Sequence, residues 1–227
     1  MSNWYRYDVL SRLEEGVFVP TVGASTIDDF LFVCEALREG GIFAAEILLR
    51  ATPYEILRAK YDAIYELRKR YGEEMLIGCG TAQRAEQAEN AIASGAQFVV
   101  SNLVNEEVIK TANLNGTLCI PAARDDAQVR TAMSLGCWVI KLFLPMPTLS
   151  IEANISNLSQ FQNIFPRVQF LVTGGVELLS VKPLLDAGFP LLVPNLVRSD
   201  ILRRKAWPEI TKLARRFKEE AHKAIVQ

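Results

Sequence analysis

Histidine is nearly absent from this chain: His222, close to the C-terminal end, is the only one in 227 residues. A single histidine in a terminal helical pattern makes a poor Ser-His-Asp triad and cannot supply a histidine-rich zinc centre. Cysteine is sparse too. Cys34, Cys79, Cys119 and Cys137 lie in apolar stretches with no Cys-x-x-Cys spacing. Reduced, buried thiols in a cytoplasmic protein are therefore expected, rather than a disulfide framework or a cysteine zinc site. No apolar run approaches the roughly 20 residues of a membrane span. The opening Met-Ser-Asn-Trp-Tyr-Arg-Tyr-Asp lacks the apolar core of a signal peptide. Excess charge is missing as well, since the net charge is -1. Nothing draws the chain broadly to nucleic acid or to an anionic membrane. The basic clusters Arg68-Lys69-Arg70 and Arg203-Arg204-Lys205 adjoin helical patterns and read as solvated helix faces.

What the chain does have is apolar mass, 50% of its residues, arranged in a regular alternation. Short apolar runs predict strands at Val17–Val22, Ile42–Leu49, Met75–Cys79, Gln97–Ser101, Thr117–Pro121, Cys137–Phe143, Val168–Val172 and Phe189–Val193. Amphipathic patterns between them predict helices at roughly 26–39, 53–71, 83–94, 105–115, 125–135, 151–164, 177–187 and 207–225. Thr52-Pro53-Tyr54-Glu55 has the form of a capping box, with proline at the first helical position. Gly40-Gly41, Gly72, Gly95, Gly116, Gly136 and Gly188 each close a helical stretch ahead of a strand, where a left-handed residue is needed. Eight strand–helix units imply a parallel sheet closed into a (β/α)8 barrel of the TIM type, with an extra N-terminal helix over 3–15. No composition shift marks a second domain, so residues 1–227 are expected to form one barrel domain. An open, six-stranded doubly wound sheet is the competing architecture. Against it, Val22-Gly-Ala-Ser-Thr26 after the first strand carries one glycine where a dinucleotide fingerprint needs three.

Two charges interrupt the apolar strands. Lys141 lies inside Cys137-Trp-Val-Ile-Lys-Leu-Phe143, and Glu46 inside Phe43-Ala-Ala-Glu-Ile-Leu-Leu49. Such residues are seldom buried unless paired or required by chemistry. Burial disfavours the charged form of a lysine, and the neutral amine is the nucleophile that makes Schiff bases. Strand parity puts Glu46, Leu48 and Arg50 on one face, and Val139, Lys141 and Phe143 on another. If both faces point into the barrel, Lys141 and Glu46 converge from opposite staves and Arg50 lies above them at the catalytic rim. The bland alternative is a structural ion pair filling the barrel, a costly arrangement. Gly78-Cys-Gly-Thr81 and Thr173-Gly-Gly175 end two further strands. Their glycines are expected to bring backbone close to a ligand, the second pair at a favoured phosphate position for barrels.

At this point the chain resembles the 2-keto-3-deoxy-6-phosphogluconate (KDPG) and 4-hydroxy-2-oxoglutarate (KHG) aldolase family. The resemblance is carried by Val19-Pro-Thr-Val22, Gly40-Gly-Ile-Phe-Ala-Ala-Glu-Ile-Leu-Leu-Arg50, Ile77-Gly-Cys-Gly-Thr81, Ser94-Gly-Ala-Gln-Phe-Val-Val-Ser101, Ile120-Pro121, Ile140-Lys-Leu-Phe143 and Val172-Thr-Gly-Gly-Val176. It implies a class I aldolase that cleaves a 2-keto-4-hydroxy acid to pyruvate and an aldehyde. It further implies Lys141 as the Schiff-base nucleophile, Glu46 as the proton shuttle and Arg50 as the clamp on the pyruvate carboxylate. Thr81 and Thr173 would bind the same end of the substrate, and Phe143 would keep the imine dry. Gly174, Gly175 and Asn195 would line the distal subsite. The protonated imine is itself the electron sink, so no metal or cofactor is implied, and a homotrimer is.

The chain also departs from that family. Asn102 stands where relatives usually have a proline after the strand-four serine, and Ala122 where they have a glycine after the strand-five proline. Val193-Pro-Asn195 replaces the glycine-rich phosphate cradle of the last strand, removing one N–H donor. That change favours a substrate without phosphate, such as 4-hydroxy-2-oxoglutarate, with Arg124 or Arg198 as candidates for its distal carboxylate. KDPG remains the other candidate substrate. A degenerate member serving as a binding or assembly protein, and a phosphosugar isomerase, are the alternatives from other classes. The isomerase leaves the buried lysine unexplained.

Overall fold

The computed structural model describes residues 6–50, 54–144 and 150–225, apart from the side chains of 54, 55 and 225. The capping-box residues 52–53 and the proline-rich segment 145–149 lie outside the described residues. The strands are β1 (Thr21–Val22), β2 (Ala44–Leu48), β3 (Leu76–Gly80), β4 (Phe98–Val100), β5 (Leu118–Ile120), β6 (Ala122–Ala123), β7 (Val139–Phe143), β8 (Gln169–Val176) and β9 (Leu191–Pro194). The helices are α1 (Arg6–Gly16), α2 (Ile27–Glu39), α3 (Tyr54–Tyr71), α4 (Ala85–Ala93), α5 (Glu106–Leu114), α6 (Asp126–Ser134), α7 (Ile151–Ile164), α8 (Leu178–Asp186), α9 (Ser199–Arg204) and α10 (Trp207–Ile225).

All strand pairs are parallel, in two continuous ladders, β1 to β5 and β6 to β9. Proline explains the break. Pro121 separates β5 from β6 within a single stave, because it has no N–H to give the ladder. Its carbonyl still accepts from Lys141 N at 2.9 Å. At the other seam, Phe18 bridges Leu192 in parallel. There Val19 N donates to Leu192 O at 2.9 Å, and Leu192 N donates to Val17 O at 2.8 Å. The staves thus close into an eight-membered ring, with Pro20 interrupting the first stave as Pro121 interrupts the fifth. This is the predicted (β/α)8 barrel.

Alternation along the strands sorts the apolar residues into two cores. One lies inside the barrel: Val19, Ala44, Leu76, Phe98, Leu118, Val139, Leu171 and Leu191 pack against Val9, Leu10 and Leu13 of α1. The extra helix is therefore a plug across the N-terminal end of the strands. The larger core lies between the ring and the outer helices, through residues such as Ala45, Ile47, Ile77, Val99, Ile140 and Val172. Each fully buried Val, Leu or Ile side chain there contributes about 1.5–3 kcal/mol.

The observed boundaries differ from the predicted ones in informative places. β8 runs on to Val176, because Gly174 and Gly175 adopt positive φ of 91° and 97° without ending the strand. The short α9 has no apolar period long enough to announce it. Gly41, Gly72, Gly95, Gly116, Gly136 and Gly188 do take positive φ, but Gly40 does not. It is needed for space instead, since a Cβ there would overlap Ala214 on α10.

Candidate active site

Glu46 and Lys141 occupy the middle of opposite staves and meet inside the ring. Register places Glu46 between Thr21 and Gly78, and Lys141 between Ala122 and Leu171. Lys141 Nζ lies 3.7 Å from Glu46 Oε1, with side-chain exposures of 9% and 0%. That separation is an ion pair rather than a hydrogen bond. Among the described residues neither Glu46 oxygen has a hydrogen-bond partner. A carboxylate so desolvated is expensive to keep, and groups held this way cluster at sites of chemistry. Burial pushes the Glu46 carboxyl above the usual carboxylate range, opposed by the nearby Lys141 ammonium and more weakly by Arg50.

The glycines of β3 have a role different from the expected one. A Cβ on Gly80 would collide with the Glu46 carboxylate, and one on Gly78 with the Phe98 ring. They make room for the Glu46 side chain and for the core beneath it. Beyond Gly80, Thr81 adopts φ of 59°. For a β-branched residue this is a strained conformation, of the kind that persists where the surroundings over-determine it. It turns the chain sharply at the rim, and no sequence signal announces it.

The other predicted residues gather around the pair at the C-terminal mouth. Lys141 Nζ lies 5.9 Å from the centroid of the half-buried Phe143 ring. Phe143 is in register with the buried Thr173, whose carbonyl accepts from Leu144 N at 2.7 Å. Gly174 and Gly175 are exposed. With Thr21, Thr173, Pro194 and Asn195 they line a cleft of about 290 Å³. Arg50 is exposed just past β2 and contributes to the field at Glu46. Asn195 sits at the far side of the cleft, but its Nδ2 donates to Glu177 Oε1 at 2.6 Å. Its own N–H goes to Val176 O, and Leu196 N–H goes to Pro194 O, each at 2.9 Å. A carboxylate and two committed amides thus stand where the sequence pattern placed a distal-anion site. Sequence reasoning passed over Thr21 and Glu177, whose significance depends on which staves face each other.

A groove of about 630 Å³ lies elsewhere, between α2 and α10 and lined by Phe32, Trp207 and Arg215. It is remote from the lysine and carries none of its chemistry. No cluster of three or more His, Cys, Asp or Glu side chains is placed to hold a metal among the described residues. All four cysteines are buried and free. No described helix is long and apolar enough to cross a membrane.

The chain is similar to known proteins along nearly its whole length. It is 28% identical to the KHG/KDPG aldolase of Escherichia coli (strain K12), covering 97% of this chain and 99% of that protein. It is 31% identical over 170 residues to the 2-dehydro-3-deoxy-phosphogluconate aldolase of Treponema pallidum, covering 75% and 76% of the two chains. The crystal structure of a KDPG aldolase from Legionella pneumophila, with pyruvate captured as a covalent carbinolamine, superposes with a TM-score of 0.75 at 23% identity, covering 89% and 94% of the chains. The family described as KDPG and KHG aldolase matches residues 9–213, and the chain belongs to that family of carbon–carbon lyases.

Proposed function

We propose that the protein is a class I aldolase in which Lys141 forms a Schiff base with the 2-keto group of a 2-keto-4-hydroxy acid, releasing pyruvate and an aldehyde. One observation carries this reading: a buried amine 3.7 Å from a fully buried carboxylate whose oxygens accept no hydrogen bond among the described residues. A substrate oxygen between them would complete the arrangement. Lys141 Nζ attacks the keto carbon, and the Glu46 carboxyl, its pKa raised by burial, protonates the resulting oxygen. Loss of water leaves the protonated imine. Glu46, now ionised, takes the proton of the 4-hydroxyl. The C3–C4 bond then breaks, its electron pair passing into the imine to give an enamine as the aldehyde leaves. Protonation at C3 and hydrolysis return pyruvate and the free amine. The carbinolamine captured in the Legionella pneumophila enzyme is the same type of intermediate, which supports the assignment.

Arg50 is the clamp for the pyruvate carboxylate, matching it with a planar fork of donors. Thr81 and Thr173 hold the same end, and Phe143 shields the imine from water. Gly174, Gly175 and Asn195 line the distal subsite. The substrate is 4-hydroxy-2-oxoglutarate, KDPG or both, as the names of the relatives support. Family likeness also supports a homotrimer acting in the cytoplasm, and a solution mass of three chains tests the assembly. For the activity, pyruvate release is measured side by side from the two substrates. Turnover of at least one is expected; turnover of neither contradicts the reading.

A further inference from the structure

The mouth of the barrel carries one arginine whose placement the reaction above leaves unused. Arg124 follows β6, the strand paired with β7 beside Lys141. Its backbone N–H donates to Gln128 Oε1 at 2.9 Å, which fixes the chain at the start of α6. Its guanidinium carbon lies 4.6 Å from the centroid of the Phe143 ring. The stack holds a long, exposed side chain against the wall of the site. No carboxylate lies within 4.0 Å of this guanidinium among the described residues. Arg198, the other arginine considered for the distal end, faces Asp200 at 3.4 Å.

Arg124 and Lys141 share Phe143. Their distances to its centroid, 4.6 Å and 5.9 Å, add to an upper limit of about 10.5 Å between guanidinium carbon and amine. In 4-hydroxy-2-oxoglutarate the imine carbon and the distal carboxylate carbon are three bonds apart, about 4 Å when extended. With the imine bond and a bidentate guanidinium–carboxylate contact, the span from amine to guanidinium carbon is about 9 Å. An extended KDPG, with phosphorus six bonds from the imine carbon, needs about 12 Å or more. At the β9 end of the cleft, Glu177 holds the Asn195 amide at 2.6 Å, and Pro194 has no N–H to offer an anion.

We propose that Arg124, braced on Phe143, binds the distal carboxylate of a five-carbon 2-keto-4-hydroxy dicarboxylate and sets the enzyme's preference for that substrate class. The inference rests on the Schiff-base reading and adds the specificity residue to it. The test compares kcat/KM for 4-hydroxy-2-oxoglutarate with that for 4-hydroxy-2-oxopentanoate, which ends in a methyl group. In Arg124→Gln the ratio of the two is expected to fall roughly 10- to 100-fold, as expected for loss of a charge-assisted hydrogen-bonded pair. A ratio within about twofold of wild type overturns the proposal, whether both substrates suffer equally or neither does. An equal fall would mean that Arg124 acts on the shared pyruvate end or through Phe143. Borohydride trapping of pyruvate on the wild-type enzyme checks the Schiff-base reading separately. Trapping with an unchanged ratio removes Arg124 alone, and no trapping removes the reading beneath it.

Discussion

The two ends of the barrel are built from the same strands and obey opposite rules. At the N-terminal end Val9, Leu10 and Leu13 of α1 close the ring over Val19, Ala44, Leu76 and Leu191, all at most 7% exposed. The layer that fills the ring there is apolar. Further along the staves, the ring holds Glu46 without a hydrogen-bond partner among the described residues, Lys141 at 3.7 Å, and a strained Thr81 at the rim. One end stabilises the fold, and the other holds costly groups in place. The lesson is that burial of a charge is tolerated here because an apolar layer beneath it secures the frame.

Substitutions at the two ends should separate these roles. Lys141→Met should abolish pyruvate release, since nothing else in the ring can form the imine; residual turnover near wild type would break the comparison at once. Glu46→Gln keeps the shape but not the proton transfer, and should slow cleavage by roughly 10²–10⁴-fold. At the plug, Leu13→Ala should cost about 2–5 kcal/mol of stability in a denaturant titration while leaving kcat of the folded protein nearly intact. A large loss of kcat there would mean that the two ends are not independent. Thr81→Gly should do the reverse on a smaller scale. Relief of the positive φ should stabilise by about 1 kcal/mol, with a loss of activity as the rim loosens.

The pH dependence of stability sharpens the same contrast. Glu46 binds its proton more tightly folded than unfolded, because burial raises its pKa from 4.5. Its contribution is therefore fully present below pH 4.5 and is lost as pH rises through the folded value. Wild type should lose stability relative to Glu46→Gln over that window, as read by denaturation at a series of pH values. A constant difference would show that the carboxyl is not desolvated.

Much of the frame was legible in the sequence because barrel strands repeat a simple physical pattern. The α7 and α10 boundaries fell at the predicted residues, since their amphipathic periods are long. The intrusion of Glu46 and Lys141 into apolar runs was legible for the same reason: a charge stands out where the strand needs none. What was not legible depends on contacts between distant staves. Gly78 and Gly80 read as ligand-approach glycines, and only the packed ring shows Phe98 and Glu46 filling that space. Thr81 carries no mark of its backbone strain. Arg124 and Arg198 looked equivalent, and the Phe143 stack and the Asp200 contact separate them. The partnership of Asn195 with Glu177 spans eighteen residues, which no local pattern announces.

The central claim is that the amine buried beside Glu46 is a nucleophile rather than a structural charge. Incubation with pyruvate and borohydride, followed by peptide mass spectrometry, tests it directly. The account predicts a reduced three-carbon adduct on Lys141 and on no other lysine. An unlabelled Lys141, under conditions that label an established class I aldolase, would contradict it.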